Sequence, residues 1–213
     1  NASQLLKRPW QVLYAPPDRP TEWSETRNVY LVGIWEPESY TGPTAWAELA
    51  RWRAGHGNAT PHWMVFPRWC HRIRNAYAAM GNASPTIIAL RQLADQVQIS
   101  LGEDVQVHLA SLLEPDALAT SLRRDFERGE RDITLAPLSL SDEQSAQLRT
   151  LVTNTRIRES GAIIRFAPEV DISSWLGNDL SRLERLFSGE PVPTPADPDQ
   201  ALIDSVVSAI WAA

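Results

Sequence analysis

Asn28-Val29-Tyr30-Leu31-Val32-Gly33-Ile34-Trp35 is a nearly continuous run of apolar, β-branched and aromatic residues. A strand with one face in water alternates apolar and polar side chains. A run without alternation predicts a strand covered on both faces, as parallel sheets require. Further short runs follow at 104–110, 132–136 and 161–167, and Gln11–Ala15 reads as a short strand before Pro16, Pro17 and Pro20. Helical spacing fills the intervals. Thr44–Ala54 stops at Gly55-His56-Gly57, and a helix over 68–80 follows the apolar run Trp63–Phe66 between Pro61 and Pro67. Ser84-Pro85 opens a helix carrying Leu90, Leu93, Val97 and Leu101 up to Gly102. Glu114-Pro115 opens one aligning Leu118, Leu122 and Phe126, and Ser141 with Gln144 forms a capping box before Leu148, Leu151 and Val152. A shorter helix spans 179–187.

Strands alternating with helices predict crossover connections, because parallel neighbours must be joined across a face of the sheet. The fold class is therefore read as α/β: a three-layer domain with a mostly parallel sheet of four or five strands, helices on both faces, and an antiparallel edge strand allowed. A mostly helical protein with one small sheet is the competing reading, since several strands are short. The chain opens on Asn1-Ala2-Ser3 without methionine. Asn1-Ala2 is read as a tag remnant, residues 3–188 as the α/β domain and 189–198, with its four prolines, as a linker. Asp197 is expected to cap a final helix with Pro198 at its first position, and 199–213 to dock through Leu202, Val206, Ala209 and Ile210. That stripe calls for the body, a second copy (a homo-oligomer) or a further domain.

The chain has 213 residues, 43% of them apolar and 22% charged, with a net charge of −6 and an isoelectric point near 5.3. The acidic balance argues against nucleic acid as partner. No apolar run approaches the roughly 18 residues of a membrane-spanning helix, so no membrane insertion is expected. Cys70 is the single cysteine and excludes an intrachain disulfide. Asn58-Ala59-Thr60 and Asn82-Ala83-Ser84 are read as turn chemistry rather than glycosylation sites. Seven of the nine tryptophans fall between Trp10 and Trp69, and core packing is the first reading of that density.

Open α/β sheets bind ligands beyond the carboxyl ends of their strands, which points to the loop after Trp35. Glu36 and Glu38 are the candidate acid–base carboxylates there, with His62 as a further catalytic candidate. Trp35, Tyr40, Arg68 and Arg72 are candidate ligand-binding residues, the arginines as bidentate forks for an anion. His56, His62, Cys70 and His71 cluster in sequence, but their spacing fits neither a helical pair nor a zinc finger, so no metal site is expected. Cys70 reads as a core residue and His108 as structural. No glycine-rich phosphate cradle occurs, so no cofactor is expected.

Two functions follow from this reading. The first is a non-catalytic module of a bacterial exported or multidomain protein, binding a protein partner or small ligand. The second is an α/β hydrolase or glycosyl-group enzyme using a carboxylate of the loop after 28–35. A periplasmic or secreted location is favoured over the cytoplasm, on the expectation that an export signal or upstream domain has been removed.

Overall fold

A computed structural model describes residues 24–40, 42, 46, 62–177 and 179–213. The strand expected at Gln11–Ala15 and, apart from Trp46, the helix expected at 44–54 lie outside the described residues. The elements are β1 (Ser24–Gly33), α1 (His62–Ala79), α2 (Pro85–Leu101), β2 (Val105–Ser111), α3 (Pro115–Glu127), β3 (Glu130–Pro137), α4 (Asp142–Thr155), β4 (Ile163–Phe166), α5 (Ser173–Leu176), α6 (Asp179–Ser188) and α7 (Gln200–Trp211).

Among the described residues, four strands form one sheet in the order β2-β1-β3-β4, every pair parallel. β1 is central, and this is why its sequence does not alternate. Val29 and Leu31 pack on one face against α2, α5 and α7, while Tyr30 and Val32 pack on the other against α1, α3, α4 and α6. All four side chains are buried. The layers are thus helix, sheet, helix. Gly33 is required by a close approach: a Cβ at that position would overlap the indole ring of Trp35, which folds back over the strand end.

Three local readings hold in atomic detail. Ser84 Oγ accepts from Ile87 N and caps α2 behind Pro85, and Gly102, at φ 90°, ends the helix in the left-handed region that favours glycine. Ser141 and Gln144 form both bonds of the capping box of α4. Two others need correction. The run Trp63–Phe66 belongs to α1, which starts at His62 and carries Pro67 in its interior. An apolar tetrapeptide has no periodicity of its own, and here the continuing helix decides its state. The cap of α7 is Asp199, whose carboxylate accepts from Leu202 N at 2.8 Å, in place of Asp197. Asp199 stands two residues nearer the helix, where its oxygen can reach the orphan N–H groups. The four-residue α5 carries too short a pattern to be read from sequence.

α7 docks on the chain's own body. Ile203, Val206, Ala209 and Ile210 are buried against α2 and the sheet. Arg27 in β1 donates from Nη2 to Ile210 O at 3.1 Å, supplying a cation to the helix C-terminus, and from Nε to Thr134 Oγ1 at 2.9 Å. The segment 189–198 is strapped to the body as well: Val192 is in the core, and Ala196 O accepts from Trp175 Nε1 at 2.8 Å. At the sheet edge Gln98 occupies the outward backbone of β2, taking Val107 N on Oε1 at 2.9 Å and donating from Nε2 to Val105 O at 2.5 Å. A side-chain amide in place of a strand blunts an edge that would otherwise template further pairing. Among the described residues, no helix is long and apolar enough to cross a membrane.

Candidate functional site

β1 leads outward to β2 through α2 on one face, and the chain then returns over the other face through α3 to β3. The direction of winding therefore reverses between β1 and β3, and there the loops diverge at the carboxyl ends. A crevice of about 360 Å³ opens at this point. Its walls are Trp35 just after β1, Ser139 and Ser141 between β3 and α4, Glu169 and Asp171 after β4, and Arg182 of α6.

The loop leaving β1 is held on every side. Leu138 N donates to Val32 O at 2.8 Å, Leu112 N to Gly33 O at 3.0 Å and Ser111 Oγ to Trp35 O at 3.1 Å. Tyr77 donates to Pro37 O at 2.5 Å, and Ser84 N to Glu38 O at 2.7 Å. Burial, reinforced by the carboxylates of Glu36 and Glu114, pushes the Tyr77 phenol up. This tyrosine is a fixed donor.

Glu36 is 0% exposed. Its Oε1 accepts from Ser84 Oγ at 2.7 Å, and its Oε2 lies 3.9 Å from Arg182 Nε. Arg182, 5% exposed, donates from Nη1 to Leu176 O and Gly177 O at 3.2 and 3.0 Å and from Nη2 to Ile34 O at 3.2 Å. Glu36 and the crevice-wall residue Arg182 thus join the loop after β1, the cap of α2, the end of α5 and α6. Glu38 points outward into a bidentate pair with Arg91, at 2.8 and 2.6 Å. The two carboxylates share a loop and serve different contacts.

Trp35, Glu36 and Glu38 border a second, smaller pocket of about 230 Å³ with Arg91 and Glu114, while the remaining sequence candidates are dispersed. Trp35 packs with the α2/α5/α7 face and Tyr40 with the opposite one, beside Trp46 and Tyr77. Arg68 and Arg72 are exposed on α1, and Arg72 borders Gly189. His62 is the first residue of α1, and its side chain lies outside the described residues, as does His56. Cys70 is buried, and burial pushes its thiol up, away from the thiolate a nucleophile needs. His108 stacks on Tyr30 with ring centroids 4.9 Å apart and meets Asn28 Oδ1 at 2.8 Å. Tyr30 in turn donates to the buried Asp125. Among the described residues, no three His, Cys, Asp or Glu side chains are grouped to hold a metal ion.

Sequence reasoning missed Glu169 and Asp171. Hydrogen bonds from Ser173 and from Ser139 Oγ hold the Asp171 carboxyl below its ordinary range, while burial, with Asp171 and Asp142 nearby, pushes Glu169 up. Ser139 sits at φ 51°, a left-handed conformation for a non-glycine residue, and its Oγ also accepts from Ile172 N at 2.7 Å. The signal was available: Glu169 and Asp171 directly follow the run 161–167, and the carboxyl-end rule applies to every strand, not to the first alone. Comparison of the chain with protein-family models, curated proteins and solved structures finds no match.

Proposed function

We propose that the chain is a ligand-binding module taking a small, hydrogen-bond-donating molecule, such as a polyol, sugar or amine, in the crevice between β1 and β3. The observation that carries this reading is the crevice at the point where the winding reverses, with Glu169 and Asp171 on one wall and Trp35 on another. Carboxylates accept from hydroxyl and ammonium groups. Glu36, paired with Arg182 of the crevice wall, acts as rigid support behind it, since binding groups work best when a second layer holds them.

A hydrolase or glycosyl-group enzyme is the second reading. Its support is the pair of carboxylates, Glu169 and Asp171, on one wall of the crevice. Glu36, enclosed on all sides, and Glu38, paired with Arg91, have less to offer a substrate. A homo-oligomer through α7 has equally little support, because the apolar stripe of that helix packs within the chain.

Screening monosaccharides, polyols and diamines by amide chemical-shift mapping tests the proposal. The expected result is a ligand that shifts Ser139, Glu169, Asp171 and Ser173 together and loses about tenfold in affinity in Glu169→Gln. Shifts confined to other surfaces, or a Glu169→Gln variant that binds as tightly, would refute it. Turnover of a bound glycoside would favour the enzyme.

A further inference from the structure

Away from the crevice, Asn28 of β1, His108 of β2, Asp125 of α3 and Glu130 of β3 gather around Tyr30. Asn28 is buried, and its Nδ2 lies 2.8 Å from Glu130 Oε2. A carboxylate offers only lone pairs, so the amide turns its N–H to Glu130 and its oxygen to His108. That oxygen lies 2.8 Å from His108 Nε2 and has no hydrogen to give, so Nε2 carries the ring proton. Burial lowers the His108 pKa, against the pull of Asp125 and Glu130 and together with Arg124, and the ring is uncharged at neutral pH. A neutral imidazole has one N–H, which leaves Nδ1 with a bare lone pair. Nδ1 has no hydrogen-bond partner among the described residues and is not enclosed. Tyr30, stacked on the imidazole and tied to the buried Asp125, fixes the plane of the ring. His108 lines an open cavity of about 500 Å³ at the edge of β2, with Ser121 and Arg124 of α3 and Arg91 and Asp95 of α2.

We infer that this cavity is a second site, in which His108 accepts through Nδ1 the proton of a hydroxyl or amine group on a small ligand, with Asn28 and Glu130 as positioning residues. Glu130 orients Asn28, and Asn28 fixes the tautomer. When Nδ1 takes a proton, Nε2 still donates into the same chain of hydrogen bonds, so the charge gained is answered by Glu130 without rearrangement. Ser121 stands one turn ahead of Asp125 on α3, has no hydrogen-bond partner among the described residues, and offers the ligand a second anchor. Of the charged groups at the cavity, Arg91 is paired with Glu38 and Arg124 with Asp125. That leaves Asp95 without a counter-charge among the described residues, which favours a neutral or cationic ligand over an anion. The site is distinct from the crevice and does not depend on a ligand there.

Long-range proton–nitrogen NMR spectra of the histidine-labelled full chain test the inference. Above pH 7, His108 should show a protonated Nε2 and a bare Nδ1. Glu130→Leu, with the backbone spectrum intact, should populate the Nδ1–H tautomer, because Asn28 is then free to turn. Diethyl pyrocarbonate, which acylates bare imidazole nitrogens, probes access to the cavity. His108 should react in the folded chain, and its rate should fall between pH 8 and pH 6 by less than the roughly fourfold expected of an imidazole with the ordinary pKa of 6.5. Should Glu130→Leu fold poorly, the native spectrum and the acylation rates decide without it. A native Nδ1–H tautomer, a His108 that resists the reagent, or a folded Glu130→Leu variant with the native tautomer would each overturn the proposal.

Discussion

Replacing Arg182 with methionine tests the brace behind the crevice. Methionine keeps much of the volume and supplies no donor, so Leu176 O, Gly177 O and Ile34 O each lose a charged partner. At about 1 kcal/mol per bond this amounts to roughly 3 kcal/mol. Glu36, fully enclosed, also loses the guanidinium 3.9 Å from its Oε2. Breaking a buried ion pair from one side costs about 3–5 kcal/mol in all, the other contacts of the lost partner included. Urea unfolding of Arg182→Met should show a loss in that range, and calorimetry a fall in Tm of roughly 6–20 °C. Glu36→Gln keeps the shape and removes the charge that needs compensation. The double variant should therefore be more stable than the sum of the single losses implies, by at least about 1 kcal/mol. Losses below about 1 kcal/mol for Arg182→Met, or strict additivity, would refute the idea that these two residues work as a unit.

Gly33→Ala places a methyl group on the Trp35 ring, so the indole must move; a loss of about 1–3 kcal/mol and a change in tryptophan fluorescence are expected, and a native spectrum would contradict the close approach. Gln98→Leu leaves Val105 O and Val107 N without their side-chain partner; stability should fall by about 1–2 kcal/mol and light scattering on heating should rise, while unchanged scattering would deny Gln98 a role in guarding the edge. His108 is held below its ordinary pKa of 6.5 by burial, against the pull of Asp125 and Glu130 and together with Arg124. The unfolded chain then takes up the proton first, so stability is full above pH 6.5 and declines as pH falls through the folded pKa. His108→Asn should flatten that part of the pH–stability profile, and a decline that persists unchanged would assign it to other groups.

Much of the architecture was legible in the chain. Uninterrupted apolar character over 28–35 announced a central strand, and Ser84-Pro85 and Ser141 with Gln144 announced helix starts, because those signals act over three or four residues and need no distant partner. The Trp63–Phe66 run was not legible as helix, since a short apolar stretch carries no period, and the choice between Asp197 and Asp199 turned on two residues of boundary.

The candidate site was legible only as a location. The rule that ligands collect at the carboxyl ends of strands leads to the rim where the crevice opens, yet sequence order alone selected the loop after β1 and passed over Glu169 and Asp171, more than a hundred residues later. Sequence by itself determined most of the described strands and helices and which of their faces must be covered, because propensity, capping and apolar periodicity are local. Only the tertiary structure decided that Glu36 is enclosed beside Arg182 while Glu38, two residues on, faces solvent with Arg91. Burial and pairing depend on which elements arrive from far along the chain, and the order of residues does not encode that distance.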